Sequence, residues 1–293
     1  MMGEEQTQSQ DTAQVTRDKD GVREAVRERY ADIVRGGSSC CGGSSCCEPA
    51  GADAAGGSEA DPLYLTRKTG DIQSLKLGYS EDDLTSVPEG ANLGLGCGNP
   101  QAIAALQEGE VVVDLGAGAG FDCFLAARVV GPEGAVIGVD MTPDMVAKAR
   151  QLARQSGYEN VDFRLGEIEH LPVGDQTADV IISNCVINLS PDKPAVYAEA
   201  FRVLKPGGRL AVSDVVATAE LPAEWRDDMR LLSACISGAS SLAEVEAMLR
   251  DVGFVDIDIR PKDESREFIQ QWEPGKKLED YVQSASMSAR RPN

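Results

Sequence analysis

The sequence predicts an α/β chain with a doubly wound, seven-stranded, mostly parallel sheet and a flexible, Cys-rich N-terminal tail. Three observations predict it. Short apolar runs alternate with helix-forming stretches from Val111 onward, a spacing that argues for parallel strands covered on both faces. The first run, VVVDL, empties into a glycine-rich turn that opens a helix, VVVDLGAGAGFD. After Leu242 the rhythm changes to a final pair of strands, expected to include one antiparallel strand at the sheet edge. Right-handed crossovers then leave the doubly wound topology as the default.

The elements follow in order. Val22, Val26, Tyr30, Ile33 and Val34 recur at helical spacing before Gly36, which predicts an amphipathic helix over 17–35. Residues 36–60 turn to Gly, Ser, Ala and Cys, too poor in large apolar groups to offset the entropy of ordering, and read as a mobile tether. Residues 1–60 are thus a helix and tail, and 61–293 the folded domain. The stretch from Pro62 to Pro88 is polar without a clear period. Strands are expected at 111–115, 135–139, 161–165, 178–183 and 209–213, and helices at 121–130, 143–156 and 195–204. Helix 143–156 is the best signalled, with Thr142 as N-cap, Pro143 at its first position and Gly157 past its end. A helix over 242–251 closed by Gly253, the strand VDIDIRP, a helical segment REFIQQWEPGKKLEDY and the alternating QSASMSARRP complete the domain.

The turn spaces Gly116, Gly118 and Gly120 as G-x-G-x-G, unlike the G-x-G-x-x-G of dinucleotide folds. Absent side chains let backbone approach a ligand closely. Asp114, ending the first strand, would repel a pyrophosphate and attract an aminoacyl ammonium, and Asp140, ending the second, is placed to accept from two ribose hydroxyls. Glu167 and Ile168, in the LGEIEHLP loop after the third strand, could meet an adenine edge. The set favours S-adenosylmethionine over a dinucleotide.

Methyl transfer from a sulfonium needs a lone pair aligned behind the methyl carbon, and oxygen or nitrogen nucleophiles commonly need a base near neutral pKa. The single histidine, His170, sits in a polar loop and reads as a surface residue. Single cysteines instead stand in three loop contexts: Cys97 in GLGCGNP, Cys185 in SNCVINLSPDK and Cys235 in SACISGA. Soft thiolates select soft centres. Three of them on trivalent arsenic would form a pyramid whose lone pair points away from the sulfurs. The competing reading is that a cysteine is a small buried hydrophobe, which is preferred for Cys123. Zinc fits less well, because paired Cys-x-x-Cys spacings are missing around these three.

Composition narrows the rest. A net charge of −20 opposes nucleic acid and anionic membrane as partners, and no apolar run approaches a bilayer span. A cytoplasmic protein is expected, and an excess of Arg over Lys with this acidity would suit a salty cytoplasm. Eight cysteines without an export signal imply free thiols or ligands rather than a disulfide framework; Cys40, Cys41, Cys46 and Cys47 form two vicinal pairs in the tail.

Through GLGCGNP, VVVDLGAGAGFD, VIGVDMTPDM, NVDFRLGEIEHLP, SNCVINLSPDK, FRVLKPGGRLAVSD and ELP followed by CISGA, the chain from about Leu93 onward resembles the arsenite S-adenosylmethionine methyltransferases. The resemblance implies a class I methyltransferase fold, Rossmann-like, that methylates arsenite and then methylarsenite for detoxification. It implies that Cys97, Cys185 and Cys235 are the arsenic ligands, with 220–241 helping to form their site. It also implies that Asp114, Gly116, Gly118, Gly120, Asp140, Met141, Glu167 and Ile168 hold the methyl donor. Arsenic oxidised by methylation would be re-reduced by enzyme thiols, reset by thioredoxin or glutathione. Family relatives carry a further cysteine before the GCG loop; none lies between Glu48 and Gly96, and the N-terminal pairs could fill that role. Two other readings stand beside this one: methylation of a small carbon nucleophile such as a quinone or sterol precursor, and a thiol-based metalloid binder without turnover.

Overall fold

The computed structural model describes residues 4–36, 69–226, 228–273 and 275–293. The four N-terminal cysteines, the tether and the expectation placed on them lie outside those residues. In chain order the elements are α1 (Glu4–Val34), α2 (Thr69–Lys76), α3 (Glu81–Ser86), α4 (Gln101–Ala104), β1 (Val111–Leu115), α5 (Phe121–Val130), β2 (Ala135–Asp140), α6 (Pro143–Ser156), β3 (Val161–Leu165), β4 (Ala178–Asn184), α7 (Lys193–Val203), β5 (Leu204–Ala217), α8 (Ala223–Arg226), α9 (Met229–Ser233), β6 (Ser240–Ser241), α10 (Leu242–Val252), β7 (Val255–Pro261), α11 (Arg266–Ile269) and β8 (Val282–Arg290).

The sheet runs β3-β2-β1-β4-β5-β8-β7, with the two-residue β6 pairing β5 at one end. The strands from β1 to β5 pair in parallel. β8 is antiparallel to both β5 and β7 and lies between them, so the antiparallel strand is internal rather than at the edge. Successive residues of a strand face opposite layers. Leu115, Ile137, Ile181 and Val212 pack with Val196, Tyr197 and Leu249 of α7 and α10 on one side. Val112, Val136, Val180 and Ile182 pack with Phe124 and Val146 of α5 and α6 on the other. Because β2 and β3 extend to one side of β1 and β4 and β5 to the other, the chain reverses between β1 and β4. Open parallel sheets bind ligands at the carboxyl ends flanking that point. Gly116 and Cys185 are the first residues past those two strand ends.

Some sequence expectations needed correction. α1 begins at Glu4, well before residue 17, and packs against α6 and α9. Val26 on its inner face is buried, and Lys19–Asp192, Arg23–Glu169 and Arg35–Asp144 ion pairs pin it to the domain. The aperiodic stretch before Pro88 folds into α2 and α3, the latter closed by a capping box between Ser80 and Asp83. The expected long helix after Arg266 is one turn, α11, and a further 3-10 turn at Leu278–Asp280. No helix among the described residues is long and apolar enough to cross a membrane.

Candidate active site

A cavity of about 1020 Å³ opens over the carboxyl ends of β1, β2 and β4, at the upper limit of small-molecule sites. The glycine turn lines one part of it. Gly116, Gly118 and Gly120 all have positive φ (70°, 53° and 96°), which glycine adopts without steric cost. A Cβ on Gly120 would come within 2.6 Å of the Phe163 ring, and one on Gly116 within 2.6 Å of Val186. Asp140 ties the turn to β2: its carboxylate accepts the Gly118 N–H at 2.9 Å and the Thr142 N–H at 2.8 Å. Asp114, Met141 and Ile168 also line the cavity. Glu167 does not. It faces α1, paired with Arg23 and Arg27 at 3.4 and 3.6 Å, and the neighbouring Glu169 lines the cavity in its place. These residues fit a cationic donor: bare turn backbone for close approach, a buried carboxylate near the end of β1 and a half-buried one at the end of β2.

Behind the turn stands a buried polar network that sequence reading missed. Tyr79 Oη donates to Asp122 at 2.8 Å, and Asn184 Nδ2 donates to Tyr79 Oη at 3.0 Å and to the Gly98 carbonyl at 2.9 Å. Asn184 Oδ1 accepts the Cys97 N–H at 3.1 Å, so this side chain clamps the Cys97 loop onto the end of β4. Cys123, read as a plain hydrophobe, is buried but donates its thiol to Asp114 at 3.2 Å. His170 is exposed, as expected.

Burial holds Asp114 well above the usual carboxylate range, with the Asp122 charge adding to it, and burial pushes Asp122 from 3.8 up to about 6 against the hydrogen bonds from Tyr79 and Asn184. An acid whose folded pKa exceeds its unfolded value disfavours folding once ionised. The penalty is absent below pH 4, grows as pH rises to about 6 and is constant above that. Asp122→Asn is therefore expected to raise stability at pH 8 by on the order of 2 kcal/mol, and by much less at pH 4.5, as read from melting curves at both values. An equal or lower melting point at pH 8 would show that the carboxylate's hydrogen bonds outweigh its burial.

Cys185 and Cys235 line the far side of the same crevice, and Cys97 is buried beside Cys185 behind its wall. Cys97 and Cys235 are buried and Cys185 half-buried; all three, and Cys123, are free thiols. Cys185 follows β4 with φ of 57° and donates its N–H to the Ser213 carbonyl at 2.8 Å. Cys235, past the end of α9, has φ of 61° and donates its thiol to the Cys185 carbonyl at 2.9 Å. Left-handed backbone costs a Cβ-bearing residue roughly 1–2 kcal/mol, and strain of this kind concentrates at functional sites. Flanking glycines let the Cys97 loop press in: a Cβ on Gly96 would overlap Asn184 and one on Gly98 would overlap Ser213. Cys97 Sγ, Cys185 Sγ and a carboxylate oxygen of Asp214 lie within 4.8 Å of one another. Cys235 is outside that group but adjoins Cys185, whose thiol is raised well above its usual value first by hydrogen bonding to Cys235 and Cys97. Burial pushes Cys97 up to about 11. Cys97 and Cys185 are therefore protonated at neutral pH. Asp214, also missed from sequence, is buried within β5, three residues before its carboxyl end and one past the Ser213 that pairs with the last residue of β4.

Fold, turn and strand-end carboxylates together define a class I methyltransferase, and residues 106–269 match the family described as a methyltransferase domain. The chain is 50% identical to an arsenite methyltransferase of Halobacterium salinarum over 98% of its own length and 72% of that protein's. It belongs to the arsenite methyltransferase family. An arsenite methyltransferase of Aquipseudomonas alcaligenes is 46% identical over 55% of this chain, which spans about half (48%) of that relative's length. The arsenic(III) S-adenosylmethionine methyltransferase structure from Chlamydomonas reinhardtii superposes with a TM-score of 0.56 at 36% identity, covering 76% of this chain and 73% of that one.

Proposed function

We propose that this chain methylates arsenite and then methylarsenite with S-adenosylmethionine, the arsenic being held by the thiolates of Cys97, Cys185 and Cys235. The observation that carries the reading is the meeting of these cysteines, from three distant segments, beside a cavity also lined by the glycine turn. Asp114, Gly116, Gly118, Asp140, Met141 and Ile168 hold the donor; Gly120, outside the cavity lining, shapes the turn against Phe163, and Glu167 contributes through its pairing with α1. The bound donor supplies a methyl carbon attached to a cationic sulfur.

No general base is required for ligation. Each thiol gives its proton to a hydroxide leaving arsenite, so three thiols and arsenous acid become a trithiolate and three waters. Oriented loops and exclusion of water then present the arsenic lone pair. Methyl transfer leaves formally pentavalent arsenic. Two thiolates return two electrons to it by coupling as a disulfide, and an external dithiol or glutathione, of the thioredoxin or glutathione class, resets the pair.

The full chain incubated with S-adenosylmethionine, arsenite and excess thiol is expected to yield mono- and dimethylated arsenic and S-adenosylhomocysteine, separated by chromatography with elemental detection. Tight arsenite binding without methylarsenicals would favour a metalloid binder. Absent arsenite binding with a retained donor site would favour a carbon nucleophile.

A further inference from the structure

Resting on that reading, we propose that Asp214 stabilises the charge that develops on arsenic during methyl transfer. As the lone pair forms the As–C bond, the C–S bond breaks and its electron pair stays on sulfur as a neutral thioether. One positive charge therefore passes from sulfur to arsenic, with no proton moved. Asp114 and Asp140 line the donor end of the cavity, so the migrating charge leaves carboxylates behind it. Asp214 gives it one to approach, with an oxygen within 4.8 Å of both Cys97 Sγ and Cys185 Sγ.

The carboxylate is fixed before any ligand arrives. Oδ2 accepts the N–H groups of Ile187 and Asn188 at 3.0 and 3.4 Å, and Oδ1 accepts the Val215 N–H at 2.7 Å and Asn188 Nδ2 at 3.0 Å. Four N–H donors on two oxygens is the coordination of an ionised carboxylate, since a protonated one would have to donate. Asp214 is 2% exposed, and the charge that acts on it most directly, the Lys193 ammonium, does not reach it as an ion pair. The nearby Lys193 ammonium is spent on the Gly238 carbonyl and on Ser240 Oγ at 2.7 Å. A buried charge held by dipoles, with the Lys193 ammonium near it but not in direct contact, is costly in the resting protein and becomes more favourable when a cation forms beside it. That difference between ground and transition state is what accelerates a reaction.

Asp214→Asn tests this in the full chain. Single-turnover methyl transfer is expected to slow about a hundredfold, while the arsenite and S-adenosylmethionine dissociation constants stay within about threefold. An unchanged rate, or arsenite affinity falling in proportion to rate, would overturn the proposal. Because the Asn amide would face one of the N–H donors, Asp214→Ala provides an independent arm. Molar formate is expected to restore the rate about tenfold and neutral formamide not at all; equal rescue by formamide would assign Asp214 a hydrogen-bonding role only. Absence of methylarsenicals from the parent chain would instead overturn the methyltransferase reading on which the proposal rests.

Discussion

Replacing Cys185 by alanine is expected to lower methylarsenical formation about a thousandfold, or about 4 kcal/mol of transition-state stabilisation, while S-adenosylmethionine binds within about threefold of the parent. Cys185 is the junction of the thiol cluster: its sulfur lies within 4.8 Å of Cys97 Sγ, and its carbonyl accepts from the Cys235 thiol at 2.9 Å. Without it the remaining thiols offer arsenic two soft ligands, and their loops lose the group that joins them. Serine should not substitute, because a hard hydroxyl is a poor ligand for a soft centre. Cys185→Gly separates chemistry from folding. With φ of 57°, glycine relieves left-handed strain of roughly 1–2 kcal/mol, which offsets the loss of a half-buried thiol. A Cys185→Gly protein is expected to melt near the parent temperature and still fail to methylate. Retention of more than about a tenth of parental activity in either variant would remove Cys185 from the reaction.

The parts of this site that were legible in sequence share one property: the backbone dictates them. A strand end, a glycine at positive φ and a proline at a helix start each leave a local mark, so β1, α5, α6 and β3 fall within the expected ranges. β8 left none. Its SASMSA core has no large apolar residue except Met287, because the Cys97 loop lies against this strand: Ser284 Oγ donates to the Cys97 carbonyl, and Gly98 abuts Ser213 of the adjoining β5. Small residues there are a consequence of the site. They dilute the pattern that would have announced a strand buried on both faces. Asp214 and Asn184 were hidden for a related reason. Their roles depend on register between β4 and β5, where Asn184 pairs with Ser213, and register comes from the whole sheet. Glu167 shows the reverse failure. The loop was placed correctly, but Arg23 and Arg27 of α1, whose contacts no local pattern predicts, pair with this carboxylate.

Gly116→Ala is expected to damage both halves of the site at once. The new Cβ would sit 2.6 Å from Val186 Cγ2 and 2.8 Å from its Cβ, on a residue with φ of 70°. Left-handed strain of roughly 1–2 kcal/mol and overpacking of roughly 1–3 kcal/mol together predict a clear fall in melting temperature. The functional loss should exceed what the stability loss explains. Val186 directly follows Cys185, so a turn that pushes Val186 also displaces the thiol cluster, and misplacement of a reacting group by about 1 Å can cost about a hundredfold in rate. Donor affinity and arsenite affinity should therefore fall together. Gly118→Ala is the control: φ is 53° there too, but its Cβ would meet no heavy atom closer than Met145 Sδ at 3.9 Å. It should carry strain alone and leave arsenite binding unchanged. Val186→Ala, which removes the two methyls that the Gly116 Cβ strikes, should recover part of the arsenite affinity in the double variant. If Gly116→Ala and Gly118→Ala weaken arsenite binding equally, the turn and the thiol cluster are not mechanically joined through Val186.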